Sequence, residues 1–306
     1  VLFLRRLSEE TDVATNCSLP TLTNALAFKS GSPDPLCRSV YLAFTSTLCK
    51  SKPQKKVCKT VLKHFDAQYS EELGEQWHSA RDVLLNPLSW QYGVLLNRFS
   101  DRTNLKQWLA ELGYTNLLPQ THPKSQTAHI PLQCFIHQDP VRIPTQSHHP
   151  GWLKQYFLLN AASLLPVLSL NLKEGENVLD LCAAPGGKSL AILQTVTPGK
   201  SRYMWRIMPI MQFFLKVGSA LAAVRPGGVV VYSTCTMSRA ENQSVVEAVL
   251  ASYQGVELLE LEQHLIDSLS DNFCFAHFHP SVGQLVIPQK DKTWGPMYVS
   301  RLQRIY

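Results

Sequence analysis

A short apolar segment that runs directly into a glycine-containing loop sets the tightest limit on the fold of this 306-residue chain. Residues 177–181 read Asn-Val-Leu-Asp-Leu, typical of a buried strand, and residues 182–188 read Cys-Ala-Ala-Pro-Gly-Gly-Lys. A helix is predicted from Ser189 to Thr195. A doubly wound α/β sheet opens its nucleotide site with this order of strand, glycine turn and helix. We therefore predict an α/β, Rossmann-like sheet in the second half of the chain.

A second strand of the same sheet is predicted at residues 229–233, which read Val-Val-Val-Tyr-Ser. The motif Thr-Cys-Thr follows it, and Ser238 with Glu241 is typical of a capping box at the start of a helix. Cys235 would lie just past the carboxyl end of a parallel strand, where open α/β sheets bind their ligands. A single cysteine is more often a buried structural residue, but the flanking motif favours a reactive thiol here.

The first half of the chain predicts a small α+β domain at residues 55–148. Helical periodicity runs over residues 55–85, a strand is expected within 90–99, and a helix at 104–112 would stop at Gly113. We leave residues 1–54 as an unassigned or disordered extension. Residues 149–306 would form the Rossmann-like domain, which opens with an apolar helix at 152–170 and ends in strands near 285–287 and 297–299.

Composition and charge restrict the partners only weakly. The formal net charge is +6, and lysines cluster between residues 50 and 63; a solvated helix face and an RNA-backbone contact are both compatible with that cluster.

The chain has no run of 18 apolar residues, so no membrane span is predicted. Its eight cysteines form no CxxC pair, which favours reduced thiols. A zinc site using His148, His149, His277 or His279 is disfavoured because none has finger-like spacing.

The segment Gly187-Lys188-Ser189 nearly matches a phosphate-binding Walker loop. That motif requires a glycine at position 182, where this chain has cysteine. The predicted strand at 229–233 also runs into Ser-Thr-Cys rather than into an acid that could hold Mg²⁺. An NTPase is therefore disfavoured.

Two motifs together resemble one known family. Residues 179–188 resemble the cofactor motif of the Nop/Sun RNA cytosine-5 methyltransferases, and residues 232–236 with Glu241-Asn242 resemble that family's catalytic Thr-Cys-Thr block. The resemblance extends from about residue 55 to the C-terminus, except for about 201–218. A narrower resemblance, to mitochondrial members that modify the wobble cytosine of methionine tRNA, is carried by residues 90–92, 96–99, 159–163 and 294–298.

The resemblance implies a cofactor, a nucleophile and a partner. S-adenosyl-L-methionine would be the cofactor, Cys235 the nucleophile, and RNA, in particular a tRNA anticodon stem-loop, the substrate. It further implies a mitochondrial matrix location. From the sequence itself we expect no metal and no membrane association, and no obligate protein partner is evident. The residues implied to bind the cofactor are Cys182, Ala183, Ala184, Pro185, Gly186, Gly187 and Lys188, with Cys182 acting by packing.

The spacing between the two motifs is too short for the complete family fold. Asp180 and Val229 are separated by 48 residues, whereas each strand–helix–strand unit needs about 30 and the family's sheet inserts three further strands here. We therefore predict an internal deletion near residues 200–218, a segment that reads as an apolar helix interrupted by Pro209. The family's Asp-Ala-Pro-Cys block and the acid that would hold the cofactor ribose are missing from the sequence.

From this deletion we expect unpaired sheet edges, weak or no cofactor binding, and no turnover. A catalytically dead RNA-binding remnant is the alternative, and a chain with no function is a third possibility.

Overall fold

The computed structural model describes residues 2–7, 58–101, 104–118, 132–173, 175–196, 203–205, 213–276 and 282–306. The strands are β1 (Leu2–Leu7), β2 (Gly93–Leu96), β3 (Thr115–Asn116), β4 (Cys134–Ile136), β5 (Tyr156–Leu159), β6 (Val178–Asp180), β7 (Tyr203–Trp205), β8 (Val224–Thr234), β9 (Val256–Leu259), β10 (Gln284–Val286) and β11 (Met297–Arg304). The α-helices are α1 (Lys59–Leu73), α2 (Gln76–Leu85), α3 (Leu105–Glu111), α4 (Leu165–Ser169), α5 (Gly187–Thr195), α6 (Phe213–Ala223), α7 (Gln243–Ser252) and α8 (Gln263–Ser270).

The larger sheet has seven strands in the order β10-β11-β8-β1-β6-β7, with β9 paired to β11. Strands β6 and β7 are parallel, whereas β11 is antiparallel to β8, β9 and β10. Residues 228–233 of β8 are all buried, as expected of a strand that is covered on both faces. Helices pack on this sheet, so the predicted α/β, Rossmann-like class is confirmed.

The N-terminal strand β1 occupies the middle of this sheet. It is antiparallel to both β6 and β8, and Leu4 pairs with Leu179 on one side and with Val230 on the other. Because β1 opposes both neighbours, β6 and β8 run parallel to each other. The sequence analysis left this segment unassigned or disordered and expected unpaired edges beside the deletion. That expectation is wrong for Leu2–Leu7, because backbone pairing on both sides fixes the strand; residues 8–54 lie outside the described part.

The smaller sheet is antiparallel, with the order β3-β4-β2-β5. Its strand β5 lies in the region for which an apolar helix at 152–170 was predicted. That prediction is wrong, because residues 156–159 pair with β2 and a 3₁₀ turn at Ala161–Leu164 precedes the short helix α4. The side chain of Asn160 caps this turn by accepting a hydrogen bond from the Ala162 amide at 3.1 Å.

The two sheets share apolar packing. Leu95 and Cys134 of the small sheet belong to the same buried cluster as Val231 and Val299 of the large one. Strand β5 comes after the boundary placed at residue 148, yet it completes the small sheet. The division into residues 1–54, 55–148 and 149–306 stays a prediction.

Other predicted elements are confirmed with shifted boundaries. The helical region at 55–85 forms α1 and α2, which are separated at Gly74, whose φ is +55°. Helix α3 is followed by Gly113 at φ +84°, the left-handed conformation expected at a helix stop. The late strands at 285–287 and 297–299 correspond to β10 and β11.

Two local predictions are wrong. The capping box of Ser238 and Glu241 does not form, because the Ser238 hydroxyl accepts from Gln68 Nε2 at 3.2 Å and α7 starts only at Gln243. The apolar helix predicted at 201–218 is replaced at 203–205 by β7, and α6 covers Phe213–Ala223; Pro209 lies outside the described residues. Among the described helices, none is long and apolar enough to cross a bilayer.

Candidate active site

The cofactor loop, residues 182–188, is anchored by the last residue of β6. Asp180 is fully buried, and its Oδ1 accepts a hydrogen bond from the Cys182 amide at 3.0 Å. Its Oδ2 accepts from the Ser189 hydroxyl at 2.7 Å. One carboxylate therefore joins the start of the loop to the first turn of α5, which brings the loop back over the end of the strand.

The middle of the cofactor loop is exposed at Ala184 and Pro185, and two glycines follow it. Gly186 caps α5 at φ +105°, a conformation that L-amino acids rarely adopt. A Cβ added at Gly187 would have no heavy atom within 4 Å. The backbone of Gly187 can therefore be approached closely by a ligand, and the start of an α-helix has N–H groups without a partner inside the helix. These features fit the methionine end of S-adenosylmethionine, which residues 182–188 would hold.

In the described residues that follow β6, the acid expected for the cofactor ribose has no counterpart. In doubly wound sheets that acid follows the second strand. Here β7 occupies that place, parallel to β6, and it ends at Trp205 with Arg206 next in the sequence. The residues present therefore fit the methionine end of S-adenosylmethionine, but the carboxylate that would bind its ribose is missing.

Cys235 lies at the apex of a turn that follows β8, and its residue is exposed. Both flanking threonines, Thr234 and Thr236, hydrogen-bond to the side chain of Asn242, which is buried. The Thr234 hydroxyl hydrogen-bonds to Asn242 Oδ1, and Asn242 Nδ2 donates to the Thr236 carbonyl at 3.0 Å. The Thr236 hydroxyl in turn accepts from the Ser238 amide at 3.1 Å. The turn is fixed on both sides while its thiol faces solvent.

One cavity of about 600 Å³ brings the two motifs together. Cys235 and all seven residues of the cofactor loop line this space, which we call the thiol cavity. The rest of the lining was not predicted from the sequence. It comes from β5, from the segment before it and from the 3₁₀ turn after it, and it includes Gln146, Lys154, Tyr156 and Ser163. No periodicity in the sequence marked these residues, because they face the cavity only through the pairing of β5 with β2.

Lys188 lines the same cavity as Cys235. Burial lowers the pKa of the Lys188 ammonium, whereas electrostatic interaction with Cys235 and Asp180 acts in the opposite direction. The ammonium can therefore balance the charge of the Asp180 carboxylate.

Other titratable groups form no comparable cluster in the described ranges. No set of three or more His, Cys, Asp or Glu side chains that could hold a metal ion occurs among those residues. His277 and His279, considered for zinc, lie outside them. Burial raises the pKa of the Cys134 thiol to about 12, which makes that cysteine a packing residue of the small sheet.

Comparisons with known proteins give the family of this chain. A family model described as 16S rRNA methyltransferase RsmB/F matches residues 209–303. The chain is 64% identical to a tRNA (cytosine(34)-C(5))-methyltransferase, mitochondrial, of Danio rerio, over 84% of this chain and 90% of that protein. It is 36% identical to the protein of the same description from Mus musculus, over 83% and 93%.

The fold also has a solved neighbour, a methyltransferase homolog from Pyrococcus horikoshii. The TM-score is 0.50 at 18% identity, covering 79% of this chain and 95% of that one. The Danio rerio alignment extends over 331 positions, more than the 306 residues of this chain, so that relative has residues with no counterpart here. On the strength of the identities over most of both lengths, the chain belongs to the RsmB/F, or Nop/Sun, family of RNA cytosine-5 methyltransferases.

Proposed function

We propose that Cys235 is the nucleophile of a tRNA cytosine-5 methyltransferase site, and that residues 182–188 bind its S-adenosylmethionine. The substrate would be the wobble cytosine of an anticodon stem-loop, in mitochondria, as the names of the relatives suggest. The observation that carries the proposal is the thiol cavity, in which the exposed thiol and the glycine loop face the same space.

The chemistry requires a thiolate because C5 of cytosine is too electron-poor to react unaided. Addition of the Cys235 sulfur to C6 forms a C–S bond and makes C5 nucleophilic, like an enamine carbon. S-adenosylmethionine, when bound, would supply the methyl group as an electrophile, and its S–CH₃ bond would break to leave S-adenosylhomocysteine. Loss of the C5 proton then returns the electron pair to the ring, restores the 5,6 double bond and releases the thiolate.

The side chains around the thiol support this sequence of events. Lys188 lines the same cavity as Cys235, and the two side chains interact electrostatically. Asn242 holds both neighbours of Cys235, so the sulfur keeps one orientation while its covalent bond forms and breaks. A loop fixed on both sides avoids an entropic cost at the moment of attack.

The methyl-transfer half of the site is less complete in this chain. The loop that would hold the methionine end is present, but the ribose carboxylate and the Asp-Ala-Pro-Cys block are absent from the sequence. We therefore propose that this chain attacks cytosine through Cys235, binds the cofactor weakly, and completes no methyl transfer.

Two modified RNAs separate these steps. In 5-azacytosine the ring nitrogen at position 5 can be protonated after attack on C6, so an adduct accumulates without methyl transfer. In 5-fluorocytosine the fluorine blocks the last elimination only after the methyl group has been added. We expect a Cys235-dependent adduct with an anticodon stem-loop containing 5-azacytosine, and none with the 5-fluoro analogue, when S-adenosylmethionine is present.

Denaturing gel electrophoresis of the chain and of Cys235→Ala would resolve both adducts. Absence of the 5-azacytosine adduct, with salt-sensitive RNA binding unchanged in Cys235→Ala, would overturn the nucleophile and favour an RNA-binding remnant. A 5-fluorocytosine adduct, or micromolar cofactor affinity by isothermal titration, would overturn the proposed loss of methyl transfer.

A further inference from the structure

A second concave surface, of about 990 Å³, adjoins the thiol cavity. We call it the flanking groove. Three large apolar side chains on its walls are exposed to solvent: Trp152 is 80% exposed, Leu153 63% and Phe99 47%. Single exposed apolar residues are common on protein surfaces, but several that line one groove indicate a binding surface.

The flanking groove and the thiol cavity share two lining residues, Gln146 and Lys154. A chain-like ligand with one unit in the thiol cavity could therefore pass Lys154 into the groove. Within the described part of the chain, Lys154 forms no ion pair, so its ammonium is available to an anion.

The backbone that carries Lys154 is held firmly. Asn97 Nδ2 donates to the Lys154 carbonyl at 2.7 Å, and the Asn97 amide donates to the Gln155 carbonyl at 2.8 Å. From the other side, Gln146 Oε1 accepts from the Gln155 amide at 2.6 Å. The junction between cavity and groove is thus preformed, which reduces the entropic cost of binding.

A tight turn places Trp152 at the rim of the groove. Gly151 has φ +81°, and the Trp152 amide donates to the His149 carbonyl at 3.1 Å. On the facing wall, the Arg98 guanidinium covers the Phe99 ring, with its Cζ atom 4.5 Å from the ring centroid. That contact occupies one face of Phe99, whereas the indole of Trp152 stays largely uncovered.

We infer that the flanking groove binds the nucleotide next to the target cytosine, with its base stacked on Trp152 and its phosphate beside Lys154. The inference rests on the proposed function, because an RNA cytosine in the thiol cavity must continue as a charged chain with a base on either side. An aromatic surface beside a cation matches those two parts of a nucleotide. Asp101, the acid on the groove wall, adjoins Phe99 and Ser100, and its carbonyl accepts a hydrogen bond from Gln155 Nε2 at 2.9 Å.

The experiment uses a short RNA with one cytosine and with 2-aminopurine immediately 5′ or immediately 3′ of it. Stacking on an indole quenches 2-aminopurine emission. We expect quenching at one of these positions, and an affinity about 5- to 150-fold weaker in Trp152→Ala, the usual cost of losing one base–aromatic stack. Trp152→Phe should recover part of the quenching, because it restores an aromatic face.

Leu88→Ala is the matched control, since Leu88 is 85% exposed and lies outside both cavities. It should leave affinity and quenching unchanged. Quenching should also persist in Cys235→Ala, because stacking needs no thiol.

Failure of this inference can be distinguished from failure of the proposed function. If the 5-azacytosine adduct forms but neither 2-aminopurine position is quenched, or quenching is unchanged in Trp152→Ala, the groove assignment is overturned and the nucleophile stands. If Trp152-dependent quenching occurs without any adduct, the groove stands and the nucleophile is overturned. Binding of an unrelated peptide that competes with the RNA, without 2-aminopurine quenching, would assign the groove to a protein partner instead.

Discussion

The two sides of the large sheet are built very differently. On one side, β8 has 11 residues, and six of its residues from Val229 to Thr234 pair in unbroken register with β11. On the other side, β6 and β7 have three residues each. The thiol of Cys235 follows the long strand, whereas the cofactor loop follows a short one.

Nucleophilic attack and cofactor binding therefore depend on two strands that differ in length and in the extent of their pairing. The part of the long strand that leads to Cys235, Val229–Thr234, is paired throughout with β11, and all of it except Thr234 is buried. The cofactor loop depends on one carboxylate and on strands that sit beside the predicted deletion. We expect mutations to separate nucleophilic attack from cofactor binding.

The largest effect should come from the strand that joins the two sides. A Leu4→Pro substitution removes a backbone donor from β1, which pairs with both β6 and β8, and we expect it to lower the free energy of unfolding by about 3 kcal/mol or more. Leu4→Val keeps the N–H group and suits a strand, so it should change stability little. Urea titration followed by circular dichroism would measure both, and equal midpoints would contradict a central position for β1.

Two buried residues, Asp180 and Asn242, test whether nucleophilic attack and cofactor binding can be separated by mutation. Asp180→Ala leaves the Cys182 amide and the Ser189 hydroxyl without their acceptor, and Asn242→Ala does the same to the Thr234 hydroxyl and removes the donor to Thr236. Each should cost about 2–3 kcal/mol of stability.

Their functional effects should be opposite. Asp180→Ala should lower S-adenosylmethionine affinity and leave the rate of the 5-azacytosine adduct nearly unchanged, whereas Asn242→Ala should slow the adduct and leave cofactor affinity unchanged. Calorimetry and gel assays on both variants would measure this. If both variants lost both properties equally, the two sides would act as one unit.

A smaller effect is expected from the two glycines of the cofactor loop. Gly186→Ala forces an L-residue to φ +105° and should cost about 1–2 kcal/mol. Gly187→Ala meets no neighbouring atom and should preserve stability, yet its methyl group would project into the space of the cofactor. Thermal unfolding with and without S-adenosylmethionine would measure both effects, and a cofactor-induced stabilisation of Gly187→Ala equal to that of the parent chain would contradict the assigned binding surface.

The smallest effect concerns Lys188. Because burial lowers the pKa of this ammonium below its usual 10.5, the folded state loses the proton at a lower pH than the unfolded state does. The cost of burying the charge is fully present below the folded-state pKa and disappears as the pH rises towards 10.5. Relative to Lys188→Met, the parent chain should therefore become more stable as the pH rises above neutrality. Urea midpoints of both proteins at several pH values would measure the difference, and a constant difference would contradict a buried ammonium.

Much of the site could be predicted from local sequence. The string from Val178 to Lys188 specifies a strand, a glycine turn and a helix start, and each is a short-range preference that tertiary contacts did not alter. The Thr-Cys-Thr motif after a valine run likewise placed Cys235 at a strand end. The prediction of a helix at 152–170 was wrong, because an apolar run is compatible with a buried helix and with a buried strand. The pairing of β5 with β2 determines that residues 156–159 form a strand.

By itself, the sequence determined which groups could react: a thiol between threonines, a glycine loop, and a spacing too short for the complete family sheet. The tertiary structure decided which strand lies between β6 and β8, because nothing local in Leu2–Leu7 specifies partners more than 170 residues away. It also decided that Lys154 and Trp152 lie beside the thiol cavity. Pairing between distant segments depends on the backbone hydrogen bonds and the area that each alternative buries, and those alternatives are compared only when the whole chain folds.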